Sequence, residues 1–590
     1  MTAHLGLRPH KVLREDRADG TILLRSGYDL PPAERSTGVW LDRWAEAAPD
    51  RTFLAERAGA GWRRLSFAQA RVEVRRIAGG LLAHGIDGPI LILSGNSIDH
   101  AVLTLAAQYV GLVTMPVAAQ YSLIPAARAR LEYVRGLARP GLVYAADDDA
   151  FGPALDLFDC PKLVSRVETG RAGTLADLRG AADVDAAHAN VGPSTVAKLL
   201  LTSGSTSDPK AVVTTHGMMT TNQAQIAVGL PFVQARPPVL VDWLPWNHVF
   251  GGSHNFNLVL ANGGSLYIDD GTPLPAMFGR TIENLGLVPC TMSFNVPVGF
   301  AHLVKAMEAD AALREIYFRD LDMIFYAGAS LPQDVWSVLE RMAMETAGRM
   351  PLITSSWGLT ETAPAALLQH EPAKGAGMVG VPLPGVTVKL VDDGSGRMDV
   401  RVAGQSIFQS YHQNAEKSVE AVDEEGFFIT GDAMRFTDPG DMSRGLVFDG
   451  RLSEDFKLST GTWVQAAQLR LDMLAALGPL ARDVVVCGAG RDHVGILIFP
   501  GPDSATGDVD QGALRCAASR DIRKSMETHA KGTSGSARTV VRALVLADPP
   551  DIGSGEVTAK GNINFAKLLA RRAALVDRLY DDADPASILL

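Results

Sequence analysis

The residues with most chemical potential in this chain are concentrated in the run TSGSTSDPK, residues 202–210. Five hydroxyl side chains surround one glycine there, and a lysine follows. Hydroxyls and exposed backbone N–H groups can surround phosphate oxygens, glycine permits a tight backbone path, and lysine supplies compact positive charge. The run therefore predicts a phosphate-binding loop, with a flexible surface loop as the alternative. The candidate ligands are Thr202, Ser203, Gly204, Ser205, Thr206 and Lys210.

The elements around this loop must hold it at the end of a strand. Residues 196–201, directly before it, are an apolar run typical of a strand. Similar runs at 321–326 and 352–354 predict buried parallel strands, each followed by small residues and a helical pattern. Helical periodicity at 67–84 gives way to a short apolar run at 90–93, which indicates stacked α/β layers. Small-molecule sites gather at the ends of such strands.

The last quarter of the chain has a different pattern. It predicts a helix over 465–477 and apolar strands over 483–487 and 494–499. The fold class that we expect is α/β, with residues 1–450 as a large N-terminal domain of layered α/β subdomains. Residues 451–590 are expected to form a small, mobile α+β domain.

Composition limits the class of partner. The chain has 590 residues, 47% of them hydrophobic, which is enough apolar material for at least two packed domains. A formal net charge of −11 argues against a general nucleic-acid surface, because phosphate backbones are bound by clustered Lys and Arg. Four widely spaced cysteines are too few for a disulfide framework and indicate reduced thiols.

The N-terminal segment lacks the apolar stretch of a signal peptide. No apolar run approaches the roughly 20 residues that a membrane span needs. We therefore expect a cytoplasmic protein that does not associate with membranes.

The run TSGSTSDPK resembles the signature loop of the adenylate-forming superfamily, which includes acyl- and aryl-CoA synthetases, firefly luciferase and the adenylation domains of peptide synthetases. The resemblance extends from about residue 40 to about residue 569, and the other matching segments occur in the family's order. It implies binding of ATP with Mg²⁺ and use of coenzyme A as co-substrate.

The resemblance assigns further nucleotide contacts. In SSWGLTET, Thr360 matches a residue that touches the α-phosphate, and Glu361 matches the residue that helps to hold the magnesium. Trp357 lies where the family usually has a tyrosine stacked on adenine, and an indole face can serve the same purpose. The remaining positions are Gly328 and Ala329 along the adenine, Asp432 on the ribose hydroxyls, and Arg451, also on the ribose.

The segment VDWLPWNHVFGGSHNF resembles the stretch that forms one wall of the family's acid pocket. His248 matches a position that gates access of the acid, and we include it with the catalytic residues. The predicted pocket consists of Trp246, His248, Phe250 and Phe294. Together with NGGSLYID and EDFKLSTGTWV, this segment is most similar to feruloyl-CoA synthetases, which implies an aromatic acid of the hydroxycinnamate type.

The chain departs from the family pattern at two places. Most members carry a C-terminal catalytic lysine, but Asn562 occupies that position here, and Lys560 lies two residues earlier. Residues two apart in an extended segment face the same side, so we predict Lys560 as the replacement, with a surface turn residue as the alternative. Ser453 stands at the hinge where an Asp or Lys is usual, and Gly461 matches a residue near the CoA tunnel.

The function implied is ATP-dependent formation of an acyl-adenylate, followed by transfer of the acyl group to CoA with release of AMP and pyrophosphate. The partners are a small carboxylic acid, ATP and CoA, and a homodimer stays open because family members often form one. Three alternatives remain at this stage: a ligase for fatty or other acids, an adenylation enzyme that loads a carrier protein, and a nucleotide-binding homologue that has lost catalysis.

Overall fold

The computed structural model describes residues 5–178, 180, 182–202, 209–274, 276–328, 330–373, 375, 377–392, 394, 397–533, 535–551, 554–556 and 563–590. Apolar patterning and capping residues set the helix bounds. Ser66, for example, begins α2 with a reciprocal capping box in which its hydroxyl accepts from Gln69 N. Among the described helices, none combines the length and apolar character needed to cross a bilayer.

The helices alternate with strands through the first 350 residues and recur near the C-terminus. In chain order they are α1 (Thr37–Ala47), α2 (Phe67–Ala83), α3 (Ile98–Tyr109), α4 (Gln120–Leu123), α5 (Arg128–Ala138), α6 (Gly152–Leu155), α7 (Val184–Ala189), α8 (His216–Gly229), α9 (Phe232–Ala235), α10 (Phe256–Ala261), α11 (Phe278–Leu285), α12 (Pro297–Ala309), α13 (Ala311–Arg319), α14 (Gln333–Ala347), α15 (Ala415–Glu420), α16 (Ala466–Leu477), α17 (Ser519–Gly532), α18 (Phe565–Arg571) and α19 (Ala573–Leu579).

The strands supply several sheets. In chain order they are β1 (Val12–Asp16), β2 (Ile22–Ser26), β3 (Thr52–Ala58), β4 (Gly61–Ser66), β5 (Ile90–Ile92), β6 (Thr114–Pro116), β7 (Leu142–Asp147), β8 (Lys162–Arg166), β9 (Gly173–Thr174), β10 (Val196–Thr202), β11 (Lys210–Thr215), β12 (Val239–Asp242), β13 (Ser265–Ile268), β14 (Met292–Asn295), β15 (Met323–Tyr326), β16 (Leu352–Thr354), β17 (Ser356–Gly358), β18 (Ala365–Leu368), β19 (Met378–Pro382), β20 (Val386–Asp392), β21 (Met398–Gly404), β22 (Phe428–Phe436), β23 (Leu446–Arg451), β24 (Phe456–Lys457), β25 (Trp463–Val464), β26 (Ala481–Cys487), β27 (Val494–Pro500), β28 (Gly507–Asp510), β29 (Ala513–Cys516), β30 (Val540–Leu546) and β31 (Ser587–Leu589).

Three sheets with parallel pairs carry the predicted ligand loops. One has the order β11-β10-β6-β5-β7-β8-β9, another β12-β13-β3-β4, and the third β14-β15-β16. The strand predicted over 196–201 is β10, and those predicted over 321–326 and 352–354 are β15 and β16, which pair in parallel. The expected layered α/β class is confirmed.

A nine-stranded sheet closes the N-terminal part, in the order β1-β2-β20-β21-β22-β23-β19-β18-β17. Its described pairings are antiparallel. The strands β1 and β2 were not predicted from the sequence. They extend this sheet, since β2 pairs with β20 and β1 pairs with β2.

The C-terminal part has its own sheet and its own core. The strands run β26-β27-β30-β29-β28, with β31 beside β30, and the short hairpin β24-β25 precedes them. The buried apolar clusters of this part begin at Leu458, whereas those of the N-terminal part end at Leu446. The predicted division after residue 450 falls in this interval and stays a prediction.

Gly380 should be far less tolerant of alanine than Gly348, although both have positive φ. Left-handed backbone costs an alanine about 1–2 kcal/mol at either position. A Cβ on Gly380 would lie 2.1 Å from the backbone of Leu368, whereas a Cβ on Gly348 would meet nothing within 4 Å. Relief of such overlap costs a further ~1–3 kcal/mol. Denaturant unfolding of Gly380→Ala and Gly348→Ala checks this, and equal losses of stability would contradict it.

Candidate active site

A buried carboxylate, Asp432, marks one end of the predicted nucleotide site. It lies on β22 and is 2% exposed. The indole Nε1 of Trp357 on β17 donates to its Oδ2 at 2.8 Å, and Arg451 Nε, at the end of β23, lies 3.4 Å from its Oδ1. The structure thus brings together three predicted nucleotide contacts. Stacking of Trp357 on adenine stays a prediction, because the hydrogen bond to Asp432 is made by the edge of the indole and not by its face.

One oxygen of Asp432 is left for a ligand. Oδ1 is buried, and no described residue forms a hydrogen bond with it. Burial raises the pKa of Asp432, while the positive charge of Arg451 and the hydrogen bond from Trp357 oppose the rise. A buried acceptor without a donor is costly, so a hydroxyl donor would be bound favourably here.

A second cluster joins Lys210, Tyr411 and Glu361. The ammonium of Lys210, which begins β11, lies 4.1 Å from the centroid of the Tyr411 ring. The Tyr411 hydroxyl donates to Glu361 Oε1 at 2.9 Å, and Phe408 N donates to the Glu361 carbonyl at 2.7 Å. Glu361 and Thr360 are both buried in a short 3₁₀ turn, Thr360–Thr362.

In this cluster, burial shifts the pKa values more than the neighbouring charges do. Burial raises the pKa of Glu361, and the hydrogen bond from Tyr411 and the positive charge of Lys210 pull it back. Burial likewise lowers the pKa of Lys210, while Glu361 opposes that shift. The negative charge of Glu361 also helps to raise the pKa of Asp432. Two buried carboxylates that repel one another are stabilised by a cation between them.

Much of the predicted phosphate loop falls outside the described residues. Thr202 ends β10 and pairs with Lys210, so the two described ends of the loop are neighbours. Gly328 follows β15 with φ of +88°, a conformation that suits glycine. The predicted residues that lie outside the described ranges are Ser203, Gly204, Ser205, Thr206, Ala329 and Lys560.

The predicted acid pocket contains a cluster of four rings. Phe294 and Phe325 are direct neighbours in the parallel pair β14–β15, and their ring centroids are 5.1 Å apart. Phe250 lies 6.2 Å from Phe294 and 5.8 Å from Phe325. The fourth ring is His254, whose centroid is 5.2–5.9 Å from the three phenyl rings. We call these four residues the ring box.

Hydrogen bonds fix the tautomer of His254. Asn255 Nδ2 donates to Asp242 Oδ2 at 2.9 Å, so Asn255 Oδ1 is the acceptor for His254 Nδ1, also at 2.9 Å. The proton of the neutral imidazole therefore sits on Nδ1, and Nε2 keeps a lone pair. Burial lowers the pKa of His254 to about 4 and raises that of Asp242 to about 7, so the imidazole is neutral at neutral pH.

The other two predicted pocket residues lie elsewhere relative to the ring box. Trp246 packs edge-on against His100 and Phe256, with both centroid distances 5.1 Å. The structure shows no ring contact between Trp246 and the ring box within the described residues. His248 is half-buried in the preceding turn, and its Nδ1 accepts from Phe250 N at 3.1 Å, which places the proton of a neutral ring on Nε2.

Helix α5 contacts two described segments, one that precedes Lys560 in the sequence and one that follows the predicted phosphate loop. A Cβ on Gly555 would overlap the guanidinium of Arg130 on this helix. From the same helix, the Tyr133 hydroxyl donates to the carbonyl of Pro209 at 3.1 Å, directly before Lys210. One helix therefore touches both the segment that leads to residue 557 and the segment that follows residue 208.

The predicted hinge and CoA residues lie on exposed turns. Ser453 belongs to the 3₁₀ turn Leu452–Glu454, immediately after β23. Gly461 has φ of +84° in the loop of the β24–β25 hairpin, where its N–H donates to the Leu458 carbonyl at 2.9 Å.

Sequence reasoning missed three residues of the site. His254 and Phe325 complete the ring box, and Tyr411 connects Lys210 with Glu361. Phe325 could have been found, because it lies one residue before the end of a predicted buried strand. Tyr411 lies in a loop and carried no comparable signal.

Comparison with known proteins identifies the family and the fold of the chain. The AMP-binding enzyme family matches residues 41–412, and the AMP-binding enzyme C-terminal domain matches residues 455–584. The anthranilate CoA ligase AuaEII, in complex with anthranoyl-AMP, has the same fold, with a TM-score of 0.73 and 17% identity over 93% of this chain and 99% of that one.

Curated relatives are distant in sequence. Probable acyl-activating enzyme 16 of Arabidopsis thaliana is 26% identical over 43% of this chain, which spans only 37% of that relative. The 4-coumarate–CoA ligase-like 9 protein of Oryza sativa subsp. japonica is 24% identical over 82% of this chain and 87% of its own length. The first family match alone covers more than half of the 590 residues, and the chain belongs to the AMP-binding enzyme family.

Proposed function

We propose that the protein is an ATP-dependent acid:CoA ligase that acts on an aromatic acid of the hydroxycinnamate type. The observation that carries this proposal is the ring box. One of its residues, Phe325, lies close in sequence to the predicted adenine turn. Phe325 lies near the carboxyl end of β15, and Gly328 follows that strand, with two residues between them. An aromatic acid packed against these rings would hold its carboxyl group towards the nucleotide.

The nucleotide half of the site supports binding of a ribose. Asp432 Oδ1, which accepts no hydrogen bond from the described residues, would accept one from a ribose hydroxyl. Trp357 and the ion pair with Arg451 hold the carboxylate in place. Lys210, with the hydroxyls predicted in the loop before it, would supply positive charge to the phosphates.

The residues present fit a magnesium ion. Mg²⁺ binds through one or two carboxylates and substrate phosphates and keeps several waters. Glu361 would hold it, and the repulsion between Glu361 and Asp432 favours a cation nearby. When bound, the ion would neutralise charge on the phosphates.

The acid half of the site supports an aromatic substrate with a hydroxyl group. Phe250, Phe294 and Phe325 offer edge and face contacts of the kind aromatic rings prefer. His254 Nε2 would accept a hydrogen bond from the phenolic O–H of the substrate. A buried acceptor of this kind discriminates against an acid that lacks the hydroxyl, because the acceptor would then stay unpaired.

The proposed reaction has two steps. A carboxylate oxygen of the acid forms a bond to the α-phosphorus, and the bond from that phosphorus to pyrophosphate breaks. The sulfur of CoA then bonds to the acyl carbon, loses its proton, and displaces AMP. Lys560 would stabilise charge in the first step, His248 would gate the acid, and rotation at Ser453 would bring Gly461 to the CoA thiol.

Each of the three alternative functions differs from the proposed one in its substrate, its acceptor or its catalysis. A fatty-acid ligase would have no use for the lone pair of His254 in an apolar pocket, because an alkyl chain offers no donor. A carrier-protein acceptor shares the first step, so only the second step separates it from CoA. An inactive homologue would bind ATP without acid-dependent release of pyrophosphate.

Acid-dependent release of pyrophosphate should be greatest with ferulic and coumaric acids. The assay uses ATP, Mg²⁺ and a panel that also includes benzoic and medium-chain fatty acids, with CoA, with a carrier protein, or with neither. Thioester is expected with CoA. Lys560→Ala should lower the rate of release by about 10²–10³, since one charge-stabilising donor is lost. Lys567→Ala, on α18, is the matched control. No release with any acid despite ATP binding would refute the proposed function.

His254→Phe should abolish the preference for hydroxylated acids while keeping an aromatic side chain in the ring box. Loss of one hydrogen bond to the phenol should lower kcat/KM for 4-hydroxycinnamate about tenfold. Cinnamate, which has no hydroxyl, serves as the internal control and should be used as well as before. An equal loss for both acids would show that His254 does not recognise the hydroxyl.

Tyr411→Phe should move the acid limb of MgATP binding to higher pH. The variant keeps the ring beside Lys210 but removes the donor to Glu361, so the pKa of this buried carboxyl rises further. A hydrogen bond to a charged group corresponds to about one pH unit. The measurement is MgATP affinity by calorimetry between pH 5 and pH 8. Tyr580→Phe, whose hydroxyl donates to the His493 carbonyl, is the control. An unshifted limb would exclude Glu361 as the titrating ligand.

A further inference from the structure

Lys198 is a buried cation that the proposed reaction does not use. It lies on β10, four residues before Thr202, and is 4% exposed. Its Nζ donates to the Gly252 carbonyl at 2.8 Å and lies 3.4 Å from Ser253 Oγ. Among the described residues, no carboxylate approaches within ion-pair distance of this ammonium. The titratable groups that sense its charge, His100 and His216, have pKa values lowered to about 4 by burial.

The segment that Lys198 contacts has an unusual backbone. Residues Phe250–Asn255 form a π-helical turn that continues into α10. In an α-helix, Phe256 N would donate to the Gly252 carbonyl, but here it donates to the Gly251 carbonyl, one residue further back. Lys198 therefore donates to the carbonyl that the α-helical pattern would have given to Phe256 N.

The two glycines allow the turn to lie close to the preceding chain. A Cβ on Gly251 would lie 2.3 Å from the Leu244 carbonyl oxygen, and a Cβ on Gly252 would lie 2.2 Å from the Trp246 carbonyl oxygen. A cavity of about 20 Å³ adjoins Gly252 and is also lined by Lys198, His100, Thr104 and Trp246. It has room for one water, which would satisfy a remaining N–H of the ammonium.

The helical register of this turn determines the direction of two side chains of the ring box. Phe250 and His254, two of its four rings, stand at either end of the contact that Lys198 makes. A change of one residue in helical register rotates side chains by about 100° around the axis, since there are 3.6 residues per turn. Reversion of the turn to an α-helix would therefore turn one or both rings away from Phe294 and Phe325.

We infer that Lys198 is a positioning residue that holds the π-helical register of residues 250–255 and so aims His254 at the acid substrate. The inference rests on the proposed function for the substrate and goes beyond it in assigning the residue that sets the recognition geometry. A buried, unpaired ammonium is costly, whereas an apolar side chain would pack at this position without that cost. The hydrogen bond from its ammonium to the Gly252 carbonyl explains why a lysine is present at position 198.

Lys198→Met tests this with two readouts. Met has similar length and lacks the donor, and replacing a buried charge by an apolar group is often neutral for stability. The preference for 4-hydroxycinnamate over cinnamate should fall by up to about tenfold, the limit set by loss of the hydrogen bond to His254. The KM for the hydroxylated acid should rise and the KM for ATP should stay unchanged. Without any substrate, hydrogen exchange should become faster in peptides that cover residues 248–258. Lys198→Gln, which retains a donor, should recover part of both effects.

Lys389→Met is the matched control. Lys389 is also buried, but its Nζ is paired with Asp423 and Glu425 in the nine-stranded sheet. This variant should lose stability and leave the acid preference unchanged. A Lys198→Met protein with unchanged preference and unchanged exchange would overturn the inference, as would a uniform loss of activity on both acids and on ATP. If the wild-type protein activates no hydroxycinnamate, the proposed function fails, and the exchange data alone decide on Lys198.

Discussion

The hydrogen bond between Trp357 and Asp432 constrains the shape of the whole N-terminal part. The two residues belong to one sheet but stand four strands apart, on β17 and β22. Flat strands at ~4.8 Å spacing would separate them by roughly 19 Å, too far for two side chains to meet. The sheet must therefore curl. Irregular pairing occurs at Met378/Gly380, Asp432/Met434 and Trp357/Gly358, and such bulges bend strands and increase their twist.

This curl has an electrostatic consequence. It encloses Asp432 near Glu361, so two carboxylates are removed from water close to one another. Each accepts one hydrogen bond from another element, Asp432 from Trp357 and Glu361 from Tyr411. Each also has a cation nearby, Arg451 beside Asp432 and Lys210 near Glu361. The donors offset only part of the desolvation, because burial still raises the pKa of both carboxyl groups. A site that is incompletely compensated in this way is stabilised by ligands that bring hydroxyl groups and cations.

The sequence predicted well what depends on local pattern. The strand β10, the parallel pair β15–β16 and the helix α16 follow from apolar periodicity. The nucleotide contacts that motif order assigns to the loops stay predictions. The ring box was predicted only in part. Phe250 and Phe294 were identified, but the orientation of His254 depends on a π-helical turn, and no periodicity rule distinguishes that turn from an α-helix. Trp246 was expected in the same pocket. Its ring packs against His100 and Phe256, and a contact with a residue as distant in sequence as His100 leaves no local pattern to read.

Lys198 shows why such a turn is hard to read from sequence. In the run VAKLLLT it is a single charged residue within an apolar strand, which sequence patterns treat as a surface position. Its partner is a backbone carbonyl 54 residues away, so no side-chain complementarity reveals it. The strand that carries Lys198 continues into Thr202, and the turn that it binds carries Phe250 and His254. One ammonium therefore connects the strand that leads to the predicted phosphate loop with the turn that carries two residues of the predicted acid pocket. A displacement of β10 at Lys198 would lengthen its hydrogen bond to the Gly252 carbonyl unless the turn moved with it.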